Sequence, residues 1–106
     1  MLSLIVPCYN EQESLPLFYK EVTRVIAEME EEYELLLIDD GSKDRTLRIM
    51  KDLSAKDKHV KYFSFSRNFG KEAAMYAGFC NATGDYVAVM DADMQDPPSL
   101  LPEMLR

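Results

Sequence analysis

The sequence has no surplus of positive charge. Its 106 residues carry 12 Lys and Arg against 19 Asp and Glu, a net charge of -7. So acidic a chain is unsuited to a nucleic-acid backbone, which requires clustered cations. There is no glycine-rich phosphate loop of the dinucleotide or Walker type. Nor is there a strained elbow to present a nucleophilic serine, so Ser3, Ser64 and Ser66 do not make an α/β-hydrolase. No apolar run approaches the roughly 20 residues of a membrane span. The run after Met1 is short and lacks a basic leader, so it reads as a strand and not a signal peptide. These absences predict a soluble, cytoplasmic piece. Cys8 and Cys80 are far apart, form no metal-like pair, and read as two buried thiols in a reducing compartment. No internal repeat or linker is evident, and 47% apolar residues suffice for one core.

What is there alternates regularly. Leu2 to Val6 reads as a buried strand ending at Pro7. Ser14 is a candidate N-cap, with Pro16 in the first turn of a helix whose apolar stripe is Leu15, Phe18, Val22, Val25, Ile26 and Met29. Glu28, Glu30, Glu31, Glu32 and Glu34 read as a solvated helix end and turn. Tyr33 to Ile38 is a nearly unbroken apolar strand, as a parallel strand covered on both faces requires. Ser42 or Asp44 can cap a second helix carrying Leu47, Ile49, Met50 and Leu53. A third strand covers Val60 to Phe65, and a third helix runs from about Lys71 to Ala82, with Gly84 a left-handed C-terminal residue. A fourth strand covers Tyr86 to Met90, and Pro97 and Pro98 prepare a last helix from about Ser99. The order β-α-β-α-β-α-β-α predicts an α/β fold, a three-layer α/β/α sandwich with a mainly parallel sheet.

In such a sheet, ligands bind beyond the carboxyl ends of the strands. That rule selects Pro7 to Glu11, Asp39 to Thr46, Ser66 to Lys71 and Asp91 to Asp96. Asp91 and Asp93 alternate in an extended segment, so their carboxylates can converge. Two hard oxygen donors suit Mg²⁺ or Mn²⁺, with Gln95 and Asp96 completing or orienting the shell. The alternative for these acids is a helix cap and solvated loop. Asp39 and Asp40 can accept hydrogen bonds from ribose hydroxyls or a base, while Gly41 allows a tight turn. Turn chemistry alone accounts for Gly41 to Thr46, but less well for two adjacent acids. Tyr9 can offer a ring face or hydroxyl to a base; Asn10 and Glu11 can bind its edge or cap the helix. Arg67 and Lys71 can meet a diphosphate or remain solvated. His59, the only histidine, falls at the opposite edge of the sheet, away from this chemistry.

Together, Ile5 to Glu11, Asp39 to Thr46 and Asp91-Ala92-Asp93 resemble the signatures of the family 2 glycosyltransferases, which have the GT-A fold. Met90 to Pro98, with Arg67-Asn68-Phe69-Gly70-Lys71 upstream, resembles the polyprenyl-phosphate branch, which includes dolichol-phosphate mannose synthases and bactoprenol glucosyltransferases. The resemblance implies that residues 1–106 are the nucleotide-sugar-binding half of a catalytic domain. Pro7, Tyr9, Asn10, Glu11, Asp39, Asp40, Lys71, Asp91 and Ala92 would line the nucleotide site, and Asp91, Asp93 and Gln95 would hold Mg²⁺ or Mn²⁺. The implied partners are a UDP- or GDP-sugar and, for the longer protein, a lipid-phosphate or glycan acceptor at the cytoplasmic face of a membrane. The general base is expected beyond Arg106, so the piece alone is expected to be inactive.

Other classes fit less well. A phosphoacceptor receiver wants an acid pair after strand one and an Asp after strand three, where this chain has Pro7-Cys8-Tyr9 and Ser66-Arg67. A sugar nucleotidyltransferase wants a glycine-rich basic loop after strand one. A non-catalytic nucleotide-binding or self-associating piece, including a homo-oligomer, remains the alternative.

Overall fold

A computed structural model describes residues 1–93 of the chain. Seven elements alternate: β1 (Leu2–Cys8), α1 (Leu15–Met29), β2 (Tyr33–Asp39), α2 (Thr46–Lys56), β3 (Val60–Ser64), α3 (Lys71–Asn81) and β4 (Tyr86–Val89). The strands form one sheet in the order β3-β2-β1-β4, and every pairing is parallel. The helix expected from about Ser99 lies outside the described residues.

Strand alternation divides the core into two layers. Leu2, Leu4, Val6 and Cys8 of β1, with Leu35 and Leu37 of β2, face α1 and α2. Ile5, Leu36 and Ile38 face Ala74 of α3 on the other side. The α1 stripe is buried as the helical spacing predicts, except that Met29 at its end is half-buried, while Leu17, off the stripe, is exposed. This is the expected sandwich, with α1 and α2 on one face and α3 on the other.

Several local expectations are corrected. Strand β1 does not stop before Pro7 but runs through it to Cys8. The carbonyl of Cys8 accepts from Asp40 N on the β2 side, and that of Ile5 accepts from Met90 N on the β4 side. Alternation therefore turns Pro7 toward β4, whose pairing ends at Ile5 and Val89. Its missing N–H falls where no ladder partner stands. Strand β3 stops one residue before Phe65, α3 one before Ala82 and β4 one before Met90. Ser14 occupies the N-cap position without capping; its hydroxyl donates to Glu11 Oε2 at 2.6 Å. The left-handed helix end is Glu30 of α1 (φ 56°), not Gly84. Gly84 is required for a close approach, since a Cβ there would lie 2.6 Å from the Met1 carbonyl oxygen and 2.7 Å from Ser3 Oγ. Of the two thiols, Cys8 is buried and Cys80 exposed.

Glu34 departs furthest from its reading as part of a solvated acidic run. Its side chain is only 4% exposed. Oε2 accepts from Ser3 Oγ at 2.6 Å, Thr83 N at 2.7 Å and Thr83 Oγ1 at 3.0 Å, while Oε1 accepts from Lys61 Nζ at 2.9 Å. Ser3 Oγ in turn accepts from Gly84 N at 2.7 Å. This one carboxylate therefore joins β1, β2, β3 and the α3–β4 connection. Burial pushes its pKa up, but the hydrogen bonds from Ser3, Thr83 and Lys61 outweigh burial and bring it from 4.5 down to about 2. A depressed carboxylate stabilises the fold fully above its unfolded value, and the contribution disappears as pH falls through the folded value. Glu34 should therefore contribute about 3 kcal/mol at neutral pH, lost between roughly pH 4.5 and 2. Urea unfolding across that range should show the decline in wild type and a markedly shallower one in Glu34→Gln.

Candidate functional site

The strand order reverses at β1. Beginning there, the chain adds β2 and β3 on one side and then returns to place β4 on the other. A crevice opens at such a switch point, outside the carboxyl ends of the two strands that flank it. Here those ends are Pro7 to Glu11 and Asp91 to Asp93.

Two loops are stapled together along this edge. The amide of Asn10 donates to Ser42 Oγ at 2.9 Å, and Asn10 Oδ1 accepts from Lys43 N at 2.8 Å. The amide of Glu11 donates to Thr46 Oγ1 at 2.8 Å. Gln12 N donates to Asp44 Oδ2 at 3.3 Å, and Gln12 Oε1 accepts from Arg45 N at 3.1 Å. Asn10, which the sequence offers to a base edge or to the helix start, joins the two loops, and it adopts φ 53°. Ser42, a candidate helix cap, serves the same junction. Asp44 does meet the start of α2, its Oδ1 accepting from Thr46 N at 2.9 Å, although Arg45 holds the N-cap position.

The adjacent acids at the end of β2 have different tasks. Asp39 is 1% exposed. Its Oδ1 accepts from Ser42 N and its Oδ2 from Ser64 Oγ, both at 3.0 Å, so it closes its own turn and ties β2 to β3. Asp40, 4% exposed, accepts from Phe69 N at 2.8 Å and Gly70 N at 3.1 Å with its two oxygens. It thereby holds the loop that leads into α3. Gly41, at φ 74°, passes so close to that loop that a Cβ would lie 2.2 Å from the Arg67 carbonyl carbon. Arg67 lies over the Phe69 ring, 5.1 Å from its centroid, and Phe69 meets Phe65 edge-on.

A cleft of about 320 Å³ results, lined by Pro7, Cys8, Tyr9, Glu11, Asp40, Lys71, Asp91 and Asp93. Asp39 lines a neighbouring hollow with Ser42, Lys43, Ser64 and Arg67, and Tyr9 forms the wall between the two. Lys71 Nζ donates to Asp91 Oδ2 at 2.9 Å. Ala92 is buried in the core. Gln95 lies outside the described residues. His59 is remote, stacked on Tyr33 and bonded to Asp57, as its position before β3 predicts.

Cys8 is the lining residue that sequence reasoning passed over; the signal was its place at the end of a continuous buried strand. Burial raises its pKa, and the charges of Glu11, Asp39 and Asp91 raise it further. The thiol stays protonated and donates weakly to the Val6 carbonyl at 3.5 Å, so it is no nucleophile. The same three charges mark how closely acids from β1, β2 and β4 converge on this residue.

Among the described residues, no three His, Cys, Asp or Glu side chains gather to form a metal cage. Two carboxylates lining one cleft nevertheless suit Mg²⁺ or Mn²⁺, which bind through one or two carboxylates and take other ligands from water and phosphate. The donor set fits such an ion.

A family model for glycosyl transferase family 2 matches residues 3–106. The chain belongs to glycosyl transferase family 2. It is 46% identical over 106 residues to the putative glycosyltransferase CsbB of Bacillus subtilis (strain 168), covering all of this chain and 32% of that protein. It is 44% identical over 104 residues to a prophage bactoprenol glucosyl transferase homolog of Escherichia coli (strain K12), covering 98% of this chain and 34% of the relative. The chain thus spans about a third of the length of these family 2 relatives. Among solved structures it resembles the mannosyltransferase PcManGT from Pyrobaculum calidifontis in complex with GDP-Man and Mn²⁺, at a TM-score of 0.70 and 26% identity over 87% of this chain and 27% of that one. S. aureus TarS 1-349 in complex with UDP shares the fold, at a TM-score of 0.70 and 24% identity over 96% of this chain and 32% of that one. The parallel α/β sandwich is the GT-A architecture expected of family 2. No helix among the described residues is long and apolar enough to cross a membrane.

Because Asp40 carries the two amides of the loop before α3, Asp40→Ala should destabilise the fold by about 2–3 kcal/mol. Hydrogen exchange at Phe69 and Gly70 should accelerate well beyond that of the sheet. Unchanged protection at those two amides would contradict the assignment.

Proposed function

We propose that the cleft binds a nucleoside diphosphate sugar together with a divalent cation. Residues 1–106 would be the donor-binding half of a longer glycosyltransferase that passes the sugar, with inversion, to a polyprenyl phosphate at the cytoplasmic face of a membrane. One observation carries this reading: Asp91 and Asp93 line the same cleft as Pro7, Tyr9, Glu11 and Asp40, at the switch point of the sheet. The bactoprenol glucosyl transferase relatives support the acceptor class, and the GDP-Man and Mn²⁺ complex supports a nucleotide donor with a metal.

Each residue has a role that follows from its position. Tyr9 and Pro7 offer flat apolar surface to a base. Glu11, braced by Ser14, faces the nucleoside side of the cleft. Asp39 and Asn10 act as positioning residues, since their polar atoms hold the turns that shape the wall. Asp91 and Asp93 would hold Mg²⁺ or Mn²⁺, with Gln95 as the further ligand that the family resemblance implies. Ala92 sets the spacing between the two acids while its methyl packs inward. When bound, the ion supplies Lewis-acid stabilisation of the charge that develops on the departing diphosphate. It also offsets repulsion between an anionic donor and a chain of net charge -7.

Titration calorimetry of the 106-residue chain with UDP and GDP should give binding in Mn²⁺ that is lost in chelator. Asp93→Ala should weaken the metal-dependent binding about ten-fold or more. Equal nucleotide binding with and without metal, or an unaffected Asp93→Ala, would refute the proposal.

A further inference from the structure

The charges of the chain are unevenly spread. Acids outnumber cations 19 to 12 overall, yet α2 holds one acid, Asp52, against Arg48, Lys51 and Lys56, with Lys43 and Arg45 just before the helix and Lys58 just after it. All six of these cations are exposed. Among the described residues none of the six has an ion-pair partner, whereas Arg24 is held between Glu21 and Glu28, and Lys61 pairs with Glu34. The two acids beside the helix are engaged locally: Asp44 accepts from Thr46 and Gln12, and Asp57 from Tyr19 and His59. Helical spacing puts Arg45, Arg48, Lys51, Asp52 and Lys56 on the outer face, while Thr46 and Met50 turn to the core. That face is about 17 Å long. At its N-terminal end Arg45 and Arg48 line a hollow of about 580 Å³ with Gln12, Ile49 and Asp52.

Building on the reading of the acceptor as a membrane lipid, we propose that the outer face of α2 is a docking surface for an anionic phospholipid bilayer, with a lipid phosphate seated between Arg45 and Arg48. Charge complementarity selects that occupant. A guanidinium meets a phosphate through two parallel N–H donors, and it is less strongly hydrated than an ammonium, so it gives up water more readily for such a contact. The net charge of -7 opposes this docking little, because at physiological salt charges act over about 8 Å and only the local excess meets the surface. Each basic side chain near an anionic bilayer strengthens attachment about five-fold. A handful of them therefore give weak, reversible contact, which orients the domain without anchoring it. The position of the helix ties that contact to the cleft. Thr46 Oγ1 accepts from the amide of Glu11, a cleft-lining residue, and Arg45 N donates to Gln12 Oε1. The arginine end of α2 is thus fastened to the rim of the cleft. A bilayer laid against it holds the opening beside the head groups, where a lipid-phosphate acceptor arrives.

Sedimentation with sucrose-loaded vesicles tests the proposal. At low salt the 106-residue chain should sediment with vesicles of mixed phosphatidylcholine and phosphatidylglycerol but not with phosphatidylcholine alone, and salt at about 0.5 M should release it. Arg45→Gln combined with Arg48→Gln should weaken capture about twenty-five-fold, five-fold for each cation removed. Asp52→Asn removes the acid from the same face and should strengthen capture about five-fold, a gain that misfolding would not produce. Glu72→Gln makes the same charge change on α3, across the sheet, and should leave capture unchanged. The docking surface is overturned if the mixed vesicles capture nothing, if phosphatidylcholine alone captures the chain equally, if the arginine variant loses nothing, or if Asp52→Asn and Glu72→Gln act alike. A dimer seen by light scattering, and dissolved by the arginine variant, would overturn it too by assigning the face to a second copy. Calorimetry of nucleotide and Mn²⁺ without lipid reads the cleft separately. Its failure alone overturns the donor-site reading and leaves the α2 surface standing.

Discussion

The cleft depends on one carboxylate accepting two backbone amides. Asp40 is buried at the end of β2, where an unpaired charge would cost several kcal/mol. The amides of Phe69 and Gly70 satisfy it and are themselves satisfied. The loop is thereby drawn against Gly41, where no larger residue fits. That contact sets where α3 begins, and so brings Lys71 into reach of Asp91. Helix α3 reaches the cleft because a residue outside it, Asp40, holds the loop before it, while β4 is placed there by its pairing with β1.

A second buried carboxylate acts at the opposite end of the same strand. Glu34 gathers donors from β1, β3 and the α3–β4 connection, as Asp40 gathers them from the β3–α3 loop. Between the two, β2 is wholly apolar from Leu35 to Ile38. Apolar burial drives the layers together without direction, and the two charged ends supply the directional bonds that set how loops meet the sheet. This arrangement also sorts the acids. Asp39 and Glu34 are engaged away from the cleft, Asp40 and Glu11 line the cleft while also holding neighbouring groups, and Asp91 and Asp93 line it from the end of β4, with Lys71 paired to Asp91.

Much of this was legible in the residue order. The α1 stripe, the unbroken β2 run and the regular alternation of elements lead to a parallel sandwich. The strand-end rule then places Pro7, Tyr9, Glu11, Asp40, Lys71, Asp91 and Asp93 along one edge, where the structure brings them into one cleft. Local pattern misled where a side chain served a distant partner. Ser14 resembles a cap and braces Glu11. Glu34 sits in an acidic run and is nevertheless buried. Gly84 follows a helix and serves a close backbone approach instead of a left-handed turn.

The sequence by itself determined the periodicities, the order of elements and the chemical character of each strand end, because these depend on neighbours within a few residues. Only the tertiary structure decided which partners engage each acid and which of the acids line the cleft. The amides that satisfy Asp40 lie 29 and 30 residues away, and those of Thr83 and Gly84, which complete the Glu34–Ser3 network, lie 49 and 81 residues from the side chains that receive them. Hydrogen-bond partners at such separations are chosen by how the layers pack, and no local spacing encodes them.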